Sequence, residues 1–193
     1  MTDPSVPPLL QPKDHDEPSV FQVENLLREA RRQRRLETRP VPDVCLLDPD
    51  GDVVRHLRAT GEAVRHDDWA CYHSELWLTN IGDRRIGIVP CAVGAPYAVL
   101  VAEELAASGC SLLISITSAG AINPLGTPPY FVLIERARRD EGTSLHYTSP
   151  SEWSELAARL SSALTGAFDD LDEPVHRGLS WTTDAPFRET ASA

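Results

Sequence analysis

The stretch Ile86–Ala121, IGIVPCAVGAPYAVLVAEELAASGCSLLISITSAGA, decides the fold. Its first apolar run, Ile86–Val89, reads as a strand and breaks at Cys91-Ala-Val-Gly-Ala-Pro96. Pro96 stands where a helix accepts proline, in the first turn, because an N–H there would have no intrahelical partner. Tyr97, Leu100, Val101 and Leu105 then recur at helical spacing and give Tyr97–Ala107 one apolar stripe. Gly109 suits the left-handed conformation that ends a helix. Ser111–Thr117 has the continuous apolar character of an interior strand, and Ser118-Ala-Gly-Ala121 follows as a small-residue turn. Strand, helix and strand within about 30 residues form a βαβ crossover, which predicts two parallel neighbouring strands.

Outward from this unit the pattern stays α/β. Val44-Cys-Leu-Leu47 is a short buried strand, Asp48-Pro-Asp-Gly-Asp52 a turn, and Val53–Arg58 the start of a helix. Trp69–Leu78 mixes aromatic and apolar residues as a strand does, and Arg85–Pro90 continues as another. Downstream, Tyr130–Ile134 reads as a third strand and Ser151–Leu171 as a helix capped by Ser151. A last strand lies around His176–Trp181.

The N-terminal region has a different character. Five prolines among residues 1–20 block regular structure and predict a disordered tail. Residues 21–39 hold an amphipathic helix with Arg28, Arg31, Arg32, Arg34 and Arg35, and residues 40–193 form the main domain. The arginine cluster reads either as a nucleic-acid or localisation patch, or as a solvated face docked on the acidic body of the same protein.

Composition narrows the function classes. With 193 residues, 41% hydrophobic and 24% charged, the chain is globular and suits one α/β or α+β domain. A net charge of −11 repels phosphodiester backbones and disfavours generic nucleic-acid binding. No run of about 20 apolar residues spans a bilayer, and the start carries no secretory signature, so a cytoplasmic protein without membrane partners is expected. Cys45, Cys71, Cys91 and Cys110 include no C-x-x-C pair, so free buried thiols are expected and no metal site.

In open α/β sheets, ligands bind beyond the carboxyl ends of the strands. That rule places Gly94-Ala-Pro96, Ser115–Gly120 and Asp140–Tyr147 at one rim. Hydroxyls and amides of Thr117, Ser118 and Gly120 can hold an anion or a sugar, or simply form a tight turn. His146 reads as a general acid or base or a ribose contact, or as a partly buried histidine bound to a carbonyl. Asp184 with Arg188 reads as a contact to a polar base edge or as a surface ion pair.

Together, Gly94-Ala-Pro96, Glu103-Glu-Leu105, Thr117-Ser-Ala-Gly-Ala121, Arg139–Tyr147 and Thr182–Arg188 resemble the purine/uridine nucleoside phosphorylase family, over roughly Val44 to Thr190. The resemblance implies an α/β fold with a mixed, mostly parallel central sheet flanked by helices, phosphorylase/hydrolase-like and assembled into oligomers. It implies cleavage of a nucleoside N-glycosidic bond, with inorganic phosphate as co-substrate and no further cofactor. By resemblance, Gly94, Thr117, Ser118, Ala119 and Gly120 line the phosphate and ribose, Asp184 and Arg188 face the base, and His146 lies on a substrate-side loop.

The departures carry expectations of their own. Leu47 stands where the family has the glycine of a Gly-Asp-Pro motif, the arginine that follows that motif is missing, and Ser115 stands where many members have a second phosphate-binding arginine. Each lost guanidinium removes a charge-assisted hydrogen bond of about 1.5–3 kcal/mol from phosphate. The related nucleosidases activate water with an early carboxylate, and Asp50 or Asp52 lies near that point. The family's Met-Glu ribose pair and the aspartate near the base have no counterpart before Ala193, so the fold is expected to be incomplete at its C-terminal side, with an open sheet edge. An inactive, truncated partner of a full-length homologue is therefore a third reading.

Overall fold

The protein is described by a computed structural model covering residues 5–192; residues 1–4 of the expected tail lie outside the described residues. Two compact units divide the chain, Glu17–Ala119 and a second formed by residues 5–16 with 120–192.

In the first unit, helix α1 (Val23–Arg34) buries Leu27 and Ala30 against Ala70. Its arginines Arg31, Arg32 and Arg34 sit in the last turn and Glu24 in the first, so both signs complement the helix dipole. Arg34 Nη1 also donates to the carbonyl oxygens of Cys71 at 2.9 Å and Trp69 at 3.3 Å. Part of the arginine cluster thus works inside the fold.

The five-stranded sheet contains β1 (Val44–Asp48), β2 (Val64–Arg65), β3 (Trp77–Ile81), β4 (Arg84–Pro90) and β5 (Leu112–Ser115), in the order β2-β3-β4-β1-β5. Strand β1 is parallel to both β4 and β5, while β2-β3 and β3-β4 are antiparallel, so the sheet is mixed. Helix α2 (Asp52–Ala59) covers one face of β1 and α3 (Ala95–Ala107) the other. Val44 packs with Val54, Ile86 and Ile88 on the α2 side, and Cys45 and Leu47 with Val89, Val101 and Leu105 on the α3 side. The unbroken apolar run Val44–Leu47 of β1 reflects this double cover. Gly87 permits the tight packing beside it, since a Cβ there would lie 2.8 Å from Cys45 Sγ.

Three expectations are corrected here. β4 and β5 are parallel but not neighbours, because β1, buried on both faces, takes both of their inner edges. β5 is an edge strand with Leu112 and Ile114 exposed, although its composition suggested an interior one. Trp69–Leu76 is a loop rather than a strand: the buried Trp69, Ala70 and Cys71 fill space between helices, and Trp69 Nε1 donates to Ser74 Oγ at 2.8 Å. The short β2 gave no signal in the sequence.

The second unit centres on β6 (Phe131–Asp140), antiparallel to β7 (Trp153–Glu155) and parallel to β8 (Val175–Thr183). The helix expected over Ser151–Leu171 shrinks to α4 (Ala158–Ala163). Its first residues pair instead with Arg136–Arg138 as β7, and Ser151 Oγ accepts from Arg139 Nη1 at 2.7 Å and donates to Trp153 O, leaving it no capping role. Residues 5–20 are not wholly irregular either. Pro8–Leu10 form a 3-10 turn, in which Leu10 N–H donates to Pro7 O at 2.9 Å.

Candidate functional site

Parallel strands β1, β4 and β5 end side by side, with Asp48 opposite Pro90 and Leu47 opposite Ser115. Their following loops therefore emerge at one rim, and strands leave β1 on both sides of it, the arrangement that opens a ligand crevice in α/β sheets. The first turns of α2 and α3 begin at the same rim, at Gly51 and Gly94.

The β1 loop is built on Asp48. Its carboxylate is 1% exposed and accepts the amides of Gly51 at 3.1 Å and Val54 at 2.9 Å, fastening the start of α2. Its carbonyl oxygen accepts the amides of Gly51 at 3.0 Å and Cys91 at 2.8 Å, joining the β1 and β4 loops. Gly51 has φ 74°, and a Cβ there would meet Cys91 Sγ at 2.9 Å, so glycine is needed twice over. Cys91 itself adopts φ 59° and is exposed.

This turn throws Asp50 across to the β5 loop. Asp50 Oδ2 accepts Ser118 N–H at 2.6 Å and lies 3.2 Å from the Thr117 hydroxyl, which is shared with Ser118 O at 3.2 Å. The Ser118 amide, helped by the Ser118 and Thr117 hydroxyls, holds the exposed Asp50 carboxyl below the usual aspartate range. Asp52 goes elsewhere, into the first turn of α2, where it pairs with Arg55. Of the two carboxylates singled out in the sequence, only Asp50 meets the small-residue turn. Gly94, at φ 89°, starts α3 and its carbonyl accepts Ala98 N–H at 3.0 Å. Thr117, Ser118, Ala119 and Gly94 are all exposed.

The second unit holds the remaining sequence candidates; Gly120 is its first residue after the junction. His146 is exposed, with Nδ1 3.4 Å from Lys13 Nζ, so it is not the partly buried, carbonyl-bound histidine that composition allowed. Asp184 Oδ2 accepts Gly142 N–H at 2.8 Å and does not pair with Arg188, whose exposed side chain has no hydrogen bond or ion pair among the described residues. Arg139 braces the loop that follows β6 through Ser144 Oγ at 2.8 Å and the Ser149 carbonyl at 2.8 Å.

Two acids escaped the sequence reading as individuals. Asp48 was absorbed into the turn, and the buried cap it makes depends on an amide six residues on. Glu104 is 3% exposed on the buried face of α3. The signal for it was present, since Glu104 falls on the Tyr97–Val101–Leu105 stripe. Among the described residues, no three His, Cys, Asp or Glu side chains gather as a metal would require, and no helix is long and apolar enough to cross a membrane. Two open concavities, of about 540 and 630 Å³, are lined by residues such as Asp43, Arg84 and Thr79 and by none from the three rim loops.

The sequence profile described as the phosphorylase superfamily matches residues 43–193. A uridine phosphorylase from Thermococcus kodakarensis is 28% identical over 147 residues, which cover 70% of this chain and 53% of that protein. A guanosine phosphorylase from Halorubrum lacusprofundi is 28% identical over 156 residues, covering 75% of this chain and 65% of that protein. The chain thus spans between half and two thirds of the length of these relatives. Among solved structures, uridine phosphorylase from Vibrio fischeri ES114 aligns with a TM-score of 0.64 at 19% identity, over 79% of this chain and 65% of the other. A second crystal structure of that enzyme gives 0.63 at 20% identity, over 77% and 62%.

Proposed function

The chain belongs to the phosphorylase superfamily, and from that membership we propose that it cleaves the N-glycosidic bond of a nucleoside and transfers the ribosyl group to inorganic phosphate. The observation that carries this reading is the convergence of the β1, β4 and β5 loops at one rim, in a chain whose relatives are uridine and guanosine phosphorylases. Glycosidic cleavage passes through an oxocarbenium-like transition state, so a nucleophile must approach the anomeric carbon as the base departs. In the proposal the Ser118 amide and the Thr117 hydroxyl face the nucleophile or the ribose, and Gly94, without a side chain, lets backbone approach the sugar. The leaving base takes a proton or hydrogen bonds as its bond breaks. Inorganic phosphate is the only co-substrate required. The proposal extends to a homo-oligomer, or to assembly with a longer homologue, in the cytoplasm.

A second reading, hydrolysis, is favoured by one observation: a carboxylate, Asp50, sits against the small-residue turn where no arginine stands. Base release from a panel of purine and pyrimidine nucleosides, followed chromatographically with and without phosphate, separates the two. Phosphate-dependent release with formation of the sugar 1-phosphate is the expected result. Release of free ribose without phosphate would replace phosphorolysis by hydrolysis, and no release from a folded sample would end both.

A further inference from the structure

The β5 turn directs two donors toward the rim, and both are engaged from within the chain. One oxygen of Asp50 takes the Ser118 amide at 2.6 Å and the Thr117 hydroxyl at 3.2 Å. That is the kind of contact an oxygen of a bound oxyanion would make: an ionised acceptor on a backbone N–H and a hydroxyl. Asp50 is not there by chance of a loose loop. The turn that carries it is pinned by the buried Asp48 carboxylate and by the close fit of Gly51 against Cys91. No basic side chain offsets its charge, for Asp50 forms no ion pair among the described residues, and the guanidinium nearest along the chain, Arg55, is occupied by Asp52. An arriving dianion would find its donors taken and a like charge in their place.

We infer that Asp50 is a specificity-determining residue, an internal competitor that fills the Ser118 and Thr117 donors and keeps inorganic phosphate from them. The inference rests on the reading of this rim as the nucleophile side of a nucleoside-cleaving site. Phosphate enters the turn only by displacing the carboxylate, which raises the phosphate concentration the protein needs. A neutral nucleophile such as water meets no like-charge repulsion there. Because the carboxyl titrates below the usual aspartate range, the competitor stays charged throughout the neutral region.

Calorimetric titration with inorganic phosphate tests this on the full chain, comparing wild type with Asp50→Ala, Asp50→Asn and a charge control, Asp83→Asn, in the β3–β4 turn at the opposite end of the sheet. Removing the carboxylate should tighten phosphate binding by about tenfold or more, the scale of one freed charge-assisted contact. Asp50→Asn supplies the same comparison should Asp50→Ala fail to fold, and Asp83→Asn should bind as wild type does. The Ser118 amide proton should move upfield in Asp50→Ala and respond there to about tenfold less phosphate than in the wild type. Equal affinity in wild type and the Asp50 variants, no detectable phosphate binding in any of them, or an equal gain in Asp83→Asn would overturn the inference. The nucleoside panel run on the same proteins judges the underlying reading separately. A gain in phosphate affinity with no base release from any variant keeps the competitor and discards the proposed reaction.

Discussion

Glu104 shows how one residue can set a pH dependence. Burial pushes its carboxyl above the usual glutamate range, an effect only partly offset by the Cys71 thiol and by His73. Among the described residues its Oε2 atom has no hydrogen-bond partner. A carboxyl that titrates higher when folded binds more protons in the native state than in the unfolded one. Its contribution to stability is therefore fully present below the unfolded value of about 4.3 and declines as pH rises through the folded value. Each unit of elevation costs about 1.4 kcal/mol at high pH. Melting temperatures measured between pH 4 and 9 should fall for the wild type on the alkaline side of this window, with the Glu104 part of that fall missing in Glu104→Gln. Parallel profiles for the two proteins would show that Glu104 stays neutral or finds a partner. Asp50 has the opposite sign, with a lowered carboxyl, so its hydrogen bonds weaken only as pH falls through that lowered value. Neither environment was legible residue by residue. Asp50 was a candidate because of its type and place, but its partner lies 68 positions away, and only the alignment of β1 with β5 brings the two together.

Among the elements, α3 could be read almost to its ends, because Pro96 and Gly109 punctuate it and one apolar stripe runs along it. The segment 151–171 misled for a physical reason. Its helical pattern is weak, and the backbone of Trp153–Glu155 gains more by completing hydrogen bonds along β6, where the Arg136 guanidinium also stacks 4.6 Å from the Trp153 ring. Helix α2 illustrates the reverse case, a short element that depends on one side chain outside it. Asp48→Ala removes two buried hydrogen bonds and leaves the Val54 amide short of an acceptor, while the Gly51 amide keeps the residue-48 carbonyl. It should cost about 2–4 kcal/mol, read as a lower urea midpoint with unchanged slope, since loss of a cap and of a buried charged acceptor act together. A loss under 0.5 kcal/mol would mean that water replaces the carboxylate without difficulty.

At the level of the molecule, the sequence identified the class of fold and the parallel β4 and β5 whose loops share the rim, yet it misordered the sheet. A βαβ crossover tells that two strands are parallel; it cannot tell whether a third strand lies between them. The strand that does so, β1, comes earlier in the chain, and its apolar run was the available clue. The proposed assembly is decided at this scale as well. Light scattering should give a mass that is a multiple of 21.2 kDa for a homo-oligomer, and a single-chain mass at micromolar concentration would remove self-association from the proposal.

The central place of β1 also has a price in time. During synthesis Val44–Asp48 emerges well before both strands it pairs with, since Gly87–Pro90 and Leu112–Ser115 follow roughly 40 and 70 residues later, a delay of several seconds at about 5–20 residues per second. For that interval the most deeply buried strand of the sheet has neither native neighbour, and Asp48 cannot yet hold the Cys91 amide. Slower translation or a warmer culture lengthens or sharpens this exposure, so the yield of soluble protein should depend on how soon residues 112–115 follow residues 44–48 out of the ribosome.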